Sequence, residues 1–154
     1  MRIWIMRHGQ AESMHVPDAE RALTARGLEQ ASAAGSWLAV QGAQGVRIVA
    51  SPYRRAQQTA AQVAAQLGVQ AVDSLALLQP EGDPRRVSQW LAQQPEQALV
   101  LVSHMPLVAQ LVSWLEDGVL GGGIPFGTAE VRVLECDEVV PGFAAVVGRR
   151  DGHD

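Results

Sequence analysis

The chain has 154 residues, 47% of them hydrophobic and 18% charged, a composition that sustains one globular domain spanning 1–154 with little room for a second. Its 12 basic residues, all arginine, are outnumbered by 16 acidic ones for a net charge of −4, which argues against a nucleic-acid partner. Cys136 is the only cysteine, so an intrachain disulfide and a cysteine-rich zinc site are excluded.

The first apolar run, Ile3-Trp4-Ile5-Met6, lies between Arg2 and Arg7 and is too short for a secretory leader or a membrane span. It reads as a strand over Arg2 to Met6, and a cytoplasmic location with no membrane partner is expected. Leu28, Ala31, Gly35 and Leu38 then recur at helical spacing behind Thr24, a suitable N-cap. Val46, Ile48 and Val49 predict a second strand ending at Ser51-Pro52. Ala56, Ala60, Val63 and Leu67 predict a helix stopped by Gly68. A short strand is expected near Val69 to Val72, followed by the loop Leu77 to Gly82. Asp83-Pro84 reads as an N-cap with proline at the first helical position, ahead of Val87, Trp90 and Leu91.

Ala98 to Val102 is a fully apolar strand, and Pro106 opens a helix with Leu107, Val108, Leu111, Val112 and Leu115 inward. After the glycine run 121–123, Ala129, Val131 and Val133 alternate with Glu130 and Arg132, the pattern of a strand with one wetter face. Phe143 to Val147 is expected to pair with it as a hairpin, and 149–154 to fray. Alternating strand and helix predict an α/β, three-layer αβα sandwich, its central sheet mostly parallel with an antiparallel C-terminal edge.

Polar residues gather at one kind of place: Arg7-His8-Gly9 after the first strand, Ser51 to Arg55 after the second, Ser103-His104 after the buried one. Strand C-termini of a parallel sheet share one edge, where ligands bind. Arg7, His8, one of Arg54 or Arg55, and His104 are therefore expected to converge on an anion, because guanidinium offers planar paired donors to phosphate oxygens. The helix opening at Pro106 adds free N–H groups. One neutral imidazole can attack phosphorus while the other, protonated, stabilises oxygen charge, so no metal or cofactor is required. Glu12 and His15 read as solvated loop residues, and His153 as an inert tail residue. Trp4, Trp37, Trp90 and Trp114 read as packing. His8, His104 and Glu12 form no tight metal-ligand motif, and adjacent guanidiniums repel a cation.

These residues resemble the histidine phosphatase superfamily, whose signature is Arg-His-Gly after an N-terminal strand. Leu23-Thr24-Ala25-Arg26-Gly27 is similar to its LTxxG helix start, Ser51-Pro52-Tyr53-Arg54-Arg55-Ala56-Gln57-Gln58-Thr59 to its SxxxRAxQT segment, and Val102-Ser103-His104 to the strand bearing its second histidine. Four such matches in order span nearly the whole chain. The resemblance implies a phosphoglycerate mutase-like fold, His8 as nucleophile, His104 as its partner, and Arg7 with Arg55, not Arg54, as phosphate clamps. Arg7, Arg55, His104 and Met105 form the implied phosphate-binding set. The chain is most similar to the small SixA-type phosphohistidine phosphatases. This implies a shallow pocket without a lid, a phosphorylated protein in signalling or phosphotransfer as substrate, and a monomer.

Leu77 stands where many relatives carry a glutamate general acid, leaving Glu81 and Asp83 as the possible acids. An alkoxide leaving group needs such an acid more than imidazole does, which favours a P–N substrate. The alternative functions are a small-molecule phosphomonoesterase or mutase and, more remotely, a non-catalytic phosphate-recognition module.

Overall fold

Both faces of the first strand are apolar because both are covered. In the computed structural model, which describes residues 1–13 and 15–152, β1 (Arg2–Arg7) sends Ile3 and Ile5 to one side of a sheet and Trp4 and Met6 to the other. The elements that follow are α1 (Ala25–Val40), β2 (Arg47–Ala50), α2 (Arg54–Leu67), β3 (Asp73–Ser74), α3 (Pro84–Ala92), β4 (Ala98–Ser103), α4 (Leu107–Asp117), β5 (Val131–Glu135) and β6 (Ala145–Arg150). The sheet order is β3-β2-β4-β1-β5-β6, parallel from β3 to β1 and antiparallel across β5 and β6. Among the described residues, no helix is long and apolar enough to cross a membrane.

The strand alternation separates two cores. Trp4, Met6, Ile48, Val100, Val102, Val131 and Val133 pack under α1 and α2, where Ala34, Leu38, Ala60 and Val63 face them. Ile3, Ile5, Val49, Leu99, Leu101 and Leu134 pack under α3 and α4, against Val87, Leu91, Leu107 and Leu111. The expected three-layer α/β architecture follows. Helix ends are fixed by the residues read for them. Thr24 Oγ1 accepts from Gly27 N at 3.0 Å, Asp83 Oδ1 accepts from Arg85 N at 2.9 Å, and Gly68 ends α2 in the left-handed region at φ 68°.

Five expectations are corrected. Val69 and Val72 pack against the α1/α2 core instead of joining the ladder, so only Asp73–Ser74 pairs with β2. Pro106 is the N-cap of α4, and Leu107 begins the helix. The face of β5 read as wetter is dry: Glu130 and Arg132 are buried and bond each other at 2.7 Å, with the Arg132 guanidinium over the Phe126 ring. The last strand starts later than Phe143 because Ala144 N bonds Leu115 O at the end of α4. It runs on through Arg149 and Arg150, so the expected fraying does not begin there. Gly152 is also buried, where a Cβ would collide with the Thr128 carbonyl, while His153 and Asp154 lie outside the described residues.

Candidate active site

Register places the site. Arg7 pairs with Ser103 across β1 and β4, and Ala50 with Val102 across β2 and β4, so one step further brings His8, His104 and Ser51 side by side. His8 N bonds Ser103 O and Ser51 N bonds Val102 O, both at 3.0 Å, extending the ladders to that point. The two imidazoles lie edge to face with centroids 5.1 Å apart. Behind them Gly9 N bonds Thr59 Oγ1 at 3.0 Å, which ties the turn after β1 to α2. Gly9 must lack a side chain because a Cβ would press on the Gly27 carbonyl.

His8 is held in one tautomer. Its Nδ1 lies 2.7 Å from Gly9 O, and a carbonyl can only accept, so Nδ1 carries the proton and Nε2 presents a lone pair. Arg55 Nε donates toward that Nε2 at 3.3 Å. Burial, then the charges of Arg55 and Arg7, outweigh the Gly9 bond and lower the His8 pKa to about 4. Burial and the neighbouring His8 and Arg55 lower that of His104 to about 2. Both rings are therefore neutral near pH 7, whereas one was expected to be protonated. His104 Nε2 is 2.7 Å from Ser51 Oγ, and its Nδ1 is buried with no partner among the described residues.

Arg55 is buried and Arg54 exposed. Arg7 Nη1 donates to Phe126 O at 2.8 Å, and its Nε is buried without a partner among the described residues. Burial and the Arg55 charge depress the Arg7 pKa. Met105 follows His104 two residues ahead of α4, its sulfur accepting from Phe126 N at 3.4 Å. His8, His104, Arg7, Arg55 and Met105 are thus brought to one sheet edge. The two candidate acids are not brought in with them: Glu81 is exposed, and both Asp83 oxygens engage Arg85, which with the α3 cap bond depresses the Asp83 pKa. Leu77 packs on the α3/α4 core. Glu12 and His15 are exposed, as expected.

The site is less open than a lidless pocket implies. His8 is 6% and His104 1% exposed. The connection between β1 and α1, pinned by the Ala11–Leu23 bridge and by Arg21 Nη1 donating to Glu12 O, brings Asp18 against Arg55. Arg55 Nη1 donates to Asp18 O at 2.6 Å and Nη2 to Asp18 Oδ2 at 3.2 Å, while Arg21 Nε donates to Oδ1 at 3.0 Å. Sequence reasoning missed Asp18, Arg21 and Ser51. The one available signal was Ser51 at the end of a strand whose neighbours carry the other site residues. A concavity of about 510 Å³, lined by Met1, Arg2, Glu135 and Cys136 among others, lies at the opposite sheet edge, away from both histidines.

Two neutral histidines and two arginines at the C-terminal edge of a mostly parallel sheet define an anion-binding α/β protein equipped for nucleophilic chemistry. The model of the histidine phosphatase superfamily (branch 1) matches residues 3–79, and the chain belongs to that superfamily. Phosphohistidine phosphatase SixA of Escherichia coli is 34% identical over 122 residues, covering 77% of this chain and 76% of that protein. A SixA homolog of Haemophilus influenzae is 35% identical over 126 residues, covering 75% and 77% respectively. A solved structure of the protein histidine phosphatase SixA complexed with tungstate matches with a TM-score of 0.88 at 29% identity, covering 99% of this chain and 97% of that one.

Proposed function

We propose that the chain is a phosphohistidine phosphatase that passes the phosphoryl group through His8. The observation that carries this reading is the state of His8: neutral, its Nδ1 proton on Gly9 O and its Nε2 lone pair facing Arg55. An imidazole in that state needs no base before it attacks phosphorus. In the first step the Nε2 lone pair forms a P–N bond while the bond to the substrate nitrogen breaks and its electron pair returns to the departing ring. Arg7 and Arg55 hold the equatorial oxygens. Burial first, and the positive field second, keep His104 neutral; the incoming phosphate dianion offsets that field and offers a buried acceptor, so His104 takes up a proton and donates it as a hydrogen bond to phosphate. Water then attacks the phosphorus on His8, giving inorganic phosphate and restoring the neutral ring.

With Asp83 bound to Arg85 and Glu81 exposed, neither carboxyl is assigned as the acid. A P–O ester therefore leaves poorly, and a phosphohistidine well. SixA relatives named phosphohistidine phosphatase support the same substrate class. We read the enzyme as a cytoplasmic, metal-independent monomer acting on a phosphorylated protein in phosphotransfer signalling. Phosphate release from a phosphohistidine protein, 3-phosphoglycerate and an aryl phosphate tests it. The phosphohistidine protein should give the highest kcat/KM, and a preference for 3-phosphoglycerate would instead support a small-molecule phosphatase.

A further inference from the structure

We infer that Asp18 selects the leaving group: its carboxylate accepts a hydrogen bond from the free ring N–H of a substrate phosphohistidine and so holds the departing imidazole protonated. This rests on the phosphohistidine phosphatase reading above. Arg55 lies between His8 and Asp18, with Nε toward the nucleophile and Nη1 and Nη2 on the Asp18 carbonyl and carboxylate. The Arg55 side chain is 4% exposed and the Asp18 side chain 42%, so these groups run outward from a buried nucleophile to the solvent. A phosphoryl group seated on His8 Nε2 and Arg55 must carry its organic part toward that solvent side. Asp18 is the carboxylate that meets it there.

Each Asp18 oxygen takes one arginine donor, Oδ1 from Arg21 and Oδ2 from Arg55, and each keeps a further acceptor position. The two guanidiniums also keep the carboxyl ionised against the opposing effect of desolvation, so it accepts and does not donate. The chain makes the same arrangement on its own ring, where Gly9 O holds the proton of His8 Nδ1. When the substrate P–N bond breaks, its electron pair goes to the released nitrogen, and a ring that keeps its other N–H departs as neutral imidazole. An alcohol leaving group has no N–H to offer and gains negative charge, which Asp18 opposes. A substrate carboxylate is repelled directly.

The test measures kcat/KM of wild type, Asp18→Asn and Asp18→Glu on a phosphohistidine peptide, 4-nitrophenyl phosphate and 3-phosphoglycerate, with thermal unfolding as the check on folding. Asp18→Asn should lose about tenfold more on the phosphohistidine peptide than on 4-nitrophenyl phosphate, the scale of a hydrogen bond to a charged group. It should also move the alkaline limb of the phosphohistidine profile to lower pH, and Asp18→Glu should recover part of the ratio. Equal losses on all three substrates, with an unmoved pH limb, would mean that Asp18 only braces Arg55 and would overturn the inference. No change on any substrate would overturn it too. A wild type that is inactive on phosphohistidine would instead refute the underlying function, a result read before any variant is made.

Discussion

His8 and His104 are neutral for reasons that also set how the protein responds to acid. Their folded pKa values, about 4 and about 2, lie below the ordinary 6.5. Between 6.5 and 4 the unfolded chain therefore binds more protons than the folded one, and stability falls as pH drops through that window. The urea midpoint of wild type should drop more between about pH 7 and about pH 4.5 than that of a His8→Asn/His104→Asn variant. Parallel curves would place the acid sensitivity elsewhere. Arg54 and Arg55 give a second contrast at this scale, adjacent in sequence but exposed and buried in the fold. Arg55→Ala should lower kcat by about ten- to a hundredfold through lost charge-assisted bonds, and Arg54→Ala by less than about threefold. Equal losses would remove Arg55 from the site. The residues that sequence could name were those whose chemistry is local to a strand end. Asp18 escaped because it reaches the site only in the fold, where it meets Arg55, 37 positions away in sequence.

Elements were legible where periodicity and capping agreed. Thr24, Gly68 and Asp83-Pro84 mark helix boundaries by chemistry that needs no tertiary context, and they bound the helices as read. The weaker readings depended on what lay opposite. Val69 and Val72 look like a strand alone but are drawn onto the α1/α2 core, and the Glu130–Arg132 alternation suggests solvent where a buried ion pair sits. That pair carries its own prediction. Glu130 accepts from Arg132 Nε and from Gly127 N, so Glu130→Ala strands a buried guanidinium and should cost about 3 to 5 kcal/mol in chemical unfolding. A loss below about 1 kcal/mol would show that Arg132 finds water. Asp83→Ala should lower the unfolding midpoint slightly as a lost N-cap while kcat on phosphohistidine stays within about twofold. If Asp83→Asn abolishes ester hydrolysis with stability intact, Asp83 is the acid after all.

At the scale of the molecule, two apolar cores clamp a sheet whose C-terminal edge gathers the candidate site, and the covalent step proposed at His8 is what would make that edge an enzyme. Charge alone would allow an anion-binding protein, since two arginines already suit phosphate; in the proposed mechanism the oriented imidazole adds turnover. The direct measurement is to mix the protein with a phosphohistidine substrate, quench within milliseconds in alkali, and locate the acid-labile phosphate by mass spectrometry and nitrogen-coupled phosphorus NMR. Phosphate is expected on Nε2 of His8, absent in His8→Ala and decaying at the rate of turnover. Turnover with no enzyme-bound phosphate, or with phosphate on Nδ1 or on another residue, would contradict it.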